Sequence, residues 1–278
     1  MQVVKNLVAK PAIHKKSVSL MGTPFEISVV AADTDWAAER IQSAIAEIKR
    51  IDKLLTPLSN DSQTNIINHN AGIAPVKING ELFKLISRAL EIAELTQGAF
   101  DITYGSELSY HKVVLNAADN TVFLKEKNMR IYFGGIAKGY AADRAKYVLQ
   151  MEGVNSGVIN AAGNLVTWGA QPDGRQWTIG TADTDQRLKP YSDFIISNMA
   201  VATSVNRETT TDTVKADSSK SVCVMSTSAE LAGAMTTPVS MLGINAGTKL
   251  INRLQQLACV FIDDNNQMFT SRFMNALS

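Results

Sequence analysis

A strand-like run, Arg130-Ile131-Tyr132-Phe133, passes directly into Gly134-Gly135 and then into a helical stretch that carries Lys138. A chain that turns from strand to helix through two glycines brings its backbone close to whatever lies in front of the turn, because no Cβ stands in the way. The helix that follows offers unpaired N–H groups and the positive end of its dipole. Lys138 adds a mobile charge in the first turn. That arrangement suits a phosphate-bearing ligand. It equally suits a turn whose glycines serve only tight strand–helix packing. It is neither a P-loop, since no Gly-Lys-Ser/Thr follows, nor a GxGxxG fingerprint.

The surrounding pattern is that of an α+β fold with several antiparallel strands. Residues Ser17 to Ala31 read as an extended segment broken at Met21-Gly22-Thr23-Pro24, with Pro24 at a bend or edge. Asp33 is a good N-cap, and Ile41, Ile45, Ile48, Ile51 and Leu55 recur at helical spacing after it. Thr56 to Pro75 is polar and reads as a long loop with short helical turns. A second helix is predicted from Glu81 to Gln97, stopped by Gly98. Strands follow at Thr121–Leu124 and Arg130–Phe133, then a helix from Ile136 to Met151. Further strands are predicted at Ser156–Ile159, Leu165–Trp168, Trp177–Thr181, Phe194–Ile196, Val201–Thr203 and Ser221–Met225. Ala229 to Leu242 reads as a helix despite Pro238, Thr248 to Gln256 as another, and Ala258–Ile262 as a closing strand.

With 278 residues, 45% of them hydrophobic, the chain can bury a single large core or two modest ones. A net charge of +1 gives no electrostatic footprint for nucleic acid or an anionic membrane. A phosphate ligand needs only a local cluster of donors. Cys223 and Cys259 both sit in apolar runs and read as buried strand residues, with a disulfide between them the lesser alternative. Three histidines, with no CxxC or HExxH, argue against zinc. His14, His69 and His111 read as solvated. The segment Met1 to Lys16 has no apolar h-region, so it predicts neither a signal peptide nor a transmembrane helix and reads as a flexible N-terminal segment.

Three more segments have chemical potential. The small-residue turn Asn160-Ala161-Ala162-Gly163-Asn164 would let a flat ligand lie on backbone, or is an ordinary tight turn. Asp101, just after the Gly98 helix stop, can bind a cation or cap a turn. Gly233 and Thr237 share a helix face, which permits close approach of another element.

Taken in order, these segments resemble the ApbE family of FAD:protein FMN transferases, from Met21-Gly22-Thr23 to Phe261. The most specific stretch is Gly134-Gly135-Ile136-Ala137-Lys138-Gly139-Tyr140-Ala141-Ala142-Asp143-Arg144-Ala145. Val158-Ile159-Asn160-Ala161-Ala162-Gly163-Asn164, Gly98-Ala99-Phe100-Asp101-Ile102-Thr103 and Val201-Ala202-Thr203-Ser204 support it. The resemblance implies an ApbE/T-fold-like architecture of mixed, largely antiparallel sheets with packed helices, in a single domain over residues 1–278. It implies binding of FAD with Mg²⁺, transfer of the FMN half to a Thr or Ser hydroxyl of an acceptor protein, and release of AMP. It implies that Lys138 lies near the flavin or pyrophosphate, and that the carbonyl of Ala137 and the hydroxyl of Thr237 ligate metal, Thr237 also being the catalytic position. Met21, Asp101, Asn160, Ala161, Gly163 and Ser204 would border the FAD pocket. Export to the bacterial periplasm is also implied.

The chain departs from the family pattern in places. Gly233 stands where the late helix usually carries Asp. Arg207 to Lys215 replaces a His-x-x-Asp-Pro-x-Thr-Gly segment. Asn164 ends a turn that usually reads Asn-Ala-Gly-Gly-Asp, and the usual Gly-Pro-Leu after Thr103 is missing. Three readings remain open. One is a divergent transferase or FAD pyrophosphatase, its metal held by Asp212 or Asp217. Another is a flavin-binding module without turnover. The last is a scaffold with a collapsed pocket.

Overall fold

The computed structural model describes residues 10–104, 110–180, 193–205, 219–254 and 256–272. The strands are β1 (Ala12–Leu20), β2 (Thr23–Ala31), β3 (Val76–Lys77), β4 (Thr103–Tyr104), β5 (Val113–Asn116), β6 (Thr121–Leu124), β7 (Arg130–Ile131), β8 (Gly157–Ala161), β9 (Asn164–Trp168), β10 (Thr178–Gly180), β11 (Asp193–Ile195), β12 (Ala200–Val205), β13 (Ser221–Ser226), β14 (Leu257–Ile262) and β15 (Met268–Thr270). The helices are α1 (Thr34–Leu55), α2 (Gln63–His69), α3 (Gly80–Leu95), α4 (Gly134–Met151) and α5 (Ala229–Ile251).

The central sheet runs β1-β2-β8-β9-β12-β13-β14-β15, and every neighbouring pair is antiparallel. The α+β, largely antiparallel expectation therefore holds. Helices α1, α4 and α5 cover one face, burying Ile41, Ile48 and Ile51 of α1 and Ala141, Ala145 and Leu149 of α4 in the main core. The opposite face carries a smaller cluster, Ile196, Val201, Cys223, Met225, Ala258 and Val260, with Trp177 and Phe194 packed against it from the β10–β11 region. Cys223 pairs with Val260 and Val224 with Cys259. The two thiols thus point to opposite faces of the sheet, which rules out a bridge between them. Both are free and buried, and burial pushes them up to about 11 for Cys223 and about 12 for Cys259.

Two hairpin turns lie at the same end of this sheet. Met21-Gly22 joins β1 to β2, with φ of 51° and 70°; Ala162-Gly163 joins β8 to β9, with φ of 48° and 94°. Positive φ at both central residues is the two-residue geometry that fits the strand twist. Phe25 at the start of β2 is paired with Ala161 at the end of β8, which brings the turns together. Pro24 lies one residue before that first pair, so its missing N–H costs the β2–β8 ladder nothing.

Several boundaries differ from the sequence reading. Residues 12–16, expected within a flexible segment, form half of β1. This is an edge strand held by hydrogen bonds to β2, and its Lys15 and Lys16 blunt the edge rather than fill a core. His14 sits in it with Nε2 3.1 Å from the Ala31 carbonyl. The polar Thr56–Pro75 stretch contains α2, started by the Ser62 side chain accepting the Asn65 N–H at 3.0 Å. Helix α3 ends at Leu95 because Gln97 and Gly98 both take positive φ, and the Gly98 N–H closes on the Ala93 carbonyl at 2.8 Å. The turn expected over Asn160–Asn164 shrinks to its two central residues, its flanks continuing β8 and β9. The two late helices form one run interrupted at Gly243, whose φ of 77° and ψ of −178° leave helical space, and the second part ends at Ile251 rather than Gln256. The expected closing strand, β14, is followed by β15.

Candidate functional site

The junction of β7 and α4 opens on solvent. Phe133 takes the N-cap position with no side-chain cap, and Gly134 enters the helix with φ of 45°. No side chain caps the first turn of α4; the Ile136 N–H is taken by the Phe133 carbonyl at 3.1 Å, and the Gly134 and Gly135 N–H groups before it are the ones placed to receive an anion. In front of this turn lies a cleft of about 580 Å³. One wall is Gly134, Ala137 and Lys138 of α4 together with the Met21–Thr23 turn; the other is the C-terminal end of α1 and the segment after it, from Asp52 to Leu58. Tyr132, 56% exposed, and Leu58, 91% exposed, supply apolar surface at this cleft. Sequence reading had not singled out Tyr132, Leu58 or Asp52, since nothing local marks a residue that becomes a wall only when two distant segments meet.

Of the expected site residues, Met21, Ala137 and Lys138 converge on this cleft. The others stand outside its walls. Asn160 uses its side-chain oxygen to accept the Gly163 N–H at 3.3 Å, and the Gly163 carbonyl accepts the Thr203 N–H at 3.1 Å, so the β8–β9 turn is braced against β12. Ala161 is fully buried between Phe25 and Asn164, and its side chain faces the core. Ser204 lies opposite Val222 near the C-terminal end of β12, at the same end of the sheet as the β8–β9 turn, but does not line the cleft. Asp101 is a turn cap: its Oδ1 accepts the backbone N–H and the hydroxyl of Thr103, each at 2.7 Å, and its Oδ2 accepts the Tyr110 N–H at 3.3 Å. That cap holds Ile102, whose carbonyl accepts the Tyr132 N–H at 2.7 Å, so Asp101 shapes the cleft from behind.

Helix α5 meets α4 at glycines. A Cβ built on Gly139 would stand 2.1 Å from the Ala229 carbonyl oxygen, and one on Gly135 would stand 3.0 Å from that of Gly233. A Cβ on Gly233 would stand 2.8 Å from both the Gly135 carbonyl oxygen and Asn164 Oδ1. Thr237, four residues on, is exposed on α5. The donors that the resemblance proposes for a cation are thus a carbonyl inside α4, a neutral hydroxyl, and a position with neither a side chain nor space for one. Mg²⁺ favours carboxylate oxygens, and these residues do not fit an ion held by α5. Among the described residues no three His, Cys, Asp or Glu side chains form a group able to hold a metal. Asp212 and Asp217 lie outside the described residues.

The second half of the Gly134–Ala145 stretch is supporting structure. Asp143 accepts the Ser228 hydroxyl and the Glu230 N–H, both at 2.9 Å, and the Ala229 N–H at 3.0 Å, so it anchors the start of α5. Burial pushes its carboxyl up, against the pull of those donors. Arg88 of α3 grips Glu230 in two-pronged fashion at 2.7 and 2.9 Å. Arg50 does the same to Glu81 at 2.7 and 2.8 Å, and the Tyr140 hydroxyl donates to Glu81 at 2.7 Å. The Arg50 bond is the main cause that holds Glu81 down at about 2.

A family model described as "ApbE family" matches residues 21–110 and 106–261. A Klebsiella pneumoniae (strain 342) protein named FAD:protein FMN transferase is 30% identical over 206 residues, 65% of this chain and 60% of the relative. One of the same name from Salmonella typhimurium is 24% identical over 200 residues, 62% of this chain and 57% of the relative. The chain therefore matches less than two thirds of the length of these relatives. Among solved structures, an ApbE protein from Thermotoga maritima superposes with a TM-score of 0.82 at 22% identity, over 95% of this chain and 99% of that one. The flavin transferase ApbE from Vibrio cholerae superposes at 0.84 and 17% identity, over 96% and 100%. Those likenesses establish the fold, and the family match spans most of the sequence: this chain belongs to the ApbE family.

Proposed function

We propose that this chain binds FAD in the cleft before α4 and passes its FMN half to a threonine or serine hydroxyl of an acceptor protein. The observation that carries this reading is the convergence of Met21, Ala137 and Lys138 on one cleft, at a helix start with no capping side chain, in a chain of this family. The Lys138 ammonium and the first N–H groups of α4 would take the phosphate oxygens, and Tyr132 would lie against a ring of the ligand. In the transfer, the acceptor oxygen bonds to the flavin-side phosphorus and the phosphoanhydride bond breaks. AMP leaves with the bridging oxygen, and the hydroxyl proton is lost. Charge then gathers on phosphate oxygens that fixed donors already face. Thr237 of α5, which the resemblance implies as the catalytic position, does not line this cleft and is assigned no contact with the phosphates. Mg²⁺ belongs to the family pattern, but the residues present do not fit it, and no step is assigned to it. Export to the periplasm is proposed on the family resemblance alone, and cell fractionation checks it.

The test is to incubate the purified protein with FAD and assay AMP and FMN. AMP release supports transfer or hydrolysis. A second reading, a flavin-binding module without turnover, draws on the absence of a carboxylate at Gly233, and tightly held intact FAD would favour it. If no flavin binds at micromolar concentration, both readings fail.

A further inference from the structure

The two neutral replacements on the site side of α5 touch each other. Asn164 is the first residue of β9, 9% exposed, with Nδ2 3.5 Å from the Ala161 carbonyl. Its Oδ1 stands 2.8 Å from where a Cβ of Gly233 would be, nearer than real Cβ contacts come. On the other side of that point, also at 2.8 Å, is the Gly135 carbonyl oxygen, which belongs to the helix start itself and cannot swing away as a side chain can. A carboxylate at 233 would therefore need the Asn164 side chain to swing aside and the first turn of α4 to move. Two carboxylates at positions 164 and 233 would repel one another at this distance and call for a cation between them. An amide facing a bare glycine makes no such demand. Among the described residues, the charged groups that line the cleft are Lys138 of α4 and Asp52 of α1, and they form no ion pair with each other.

We infer that this chain holds the diphosphate of FAD without a divalent cation, its negative charge being met by Lys138 and the N-terminal N–H groups of α4. The inference rests on the FAD-binding reading above and changes what that reading requires of the site. The α4–α5 crossing has closed, at Gly233, the place from which α5 would present a metal ligand, and Asn164 fills the remaining space.

The test is a calorimetric titration of the full chain with FAD, in EDTA and again in excess Mg²⁺. The expected affinities agree within about threefold, and Lys138→Ala weakens both by about tenfold. Binding that Mg²⁺ strengthens beyond that range overturns the inference and leaves the FAD-binding reading standing. Unchanged affinity in Lys138→Ala overturns the charge assignment. Absence of FAD binding in both buffers overturns the inference together with the reading it rests on. Gly233→Asp gives an independent check: it should lower the melting temperature and gain no Mg²⁺ dependence. A Gly233→Asp protein as stable as the parent, with FAD binding that now depends on Mg²⁺, would show that the crossing is open.

Discussion

Asp143 of α4 and Ser228 at the start of α5 are joined by a 2.9 Å hydrogen bond, the Ser228 hydroxyl donating to the Asp143 carboxylate. Ser228 in turn accepts the Leu231 N–H at 3.3 Å, so Asp143 caps α5 both through Ser228 and directly through Ala229 and Glu230. Asp143→Ala leaves buried donors without a partner. It should cost about 2–4 kcal/mol, read as a shift in the urea midpoint with the slope unchanged. The position of α5, and with it Thr237, depends on this anchor, so hydrogen exchange at Ala229–Leu231 should speed up as well.

Gly139→Ala tests the closeness of the helices. The added methyl would stand 2.1 Å from a backbone oxygen of α5, so α4 and α5 must separate. A loss of about 2–3 kcal/mol is expected from overpacking, despite the gain in helix propensity. Denaturation of the variant that matches the parent would mean the helices cross more loosely than described.

Ala162→Asn should stabilise. Ala162 is exposed and held at φ 48°, where a residue with a Cβ is strained and asparagine is tolerated, and it precedes Gly163 in a two-residue hairpin that favours Asn-Gly. A gain of about 0.5–1 kcal/mol is expected, visible as a higher melting temperature.

Acid should act through Glu81. Its folded value of about 2 lies below its unfolded value of 4.5, so the Arg50–Glu81 pair contributes fully above about pH 4.5. That contribution is lost as the pH falls from there towards 2. Because the pair is partly solvated, it is worth only about 1 kcal/mol. Glu81→Gln should therefore be less stable than the parent at neutral pH, and the gap should close on acidification through that window.

Tyr132→Ala probes the cleft without disturbing the core, since the ring is largely exposed. If the ring lies on the ligand, FAD affinity should fall by about tenfold while the melting temperature holds. A fall in both would assign Tyr132 to structure.

The elements legible in the sequence are those whose signals are local. Asp33 caps α1 as expected, its side chain accepting the Trp36 N–H at 2.9 Å, and the Ile stripe that follows is buried. Gly98 ends the second helix, and Gly134-Gly135 opens the fourth. What stayed hidden depends on partners far along the chain. Strands β3 and β4 are only two residues long each, too short for alternation to register, and exist because β6 and β7 complete them. At the site, Lys138 and Met21 were legible from their motifs. Asp143 lay within the quoted stretch, but its role needed the start of α5, more than eighty residues later, to be in place. Gly233 read as a missing ligand; only the packing of Gly135 and Asn164 against it shows that nothing can be put back without moving a neighbour.

The placement of Cys223 and Cys259 on opposite faces makes the sheet a partition between two thiol compartments. Neither thiol can protect the other from an alkylating reagent, and each is reached only when its own covering layer lifts. Loosening of the β10–β11 cover would label Cys223 first, and loosening of the helical layer would label Cys259 first. The native chain therefore carries a two-channel record of which side opens, without any engineered probe.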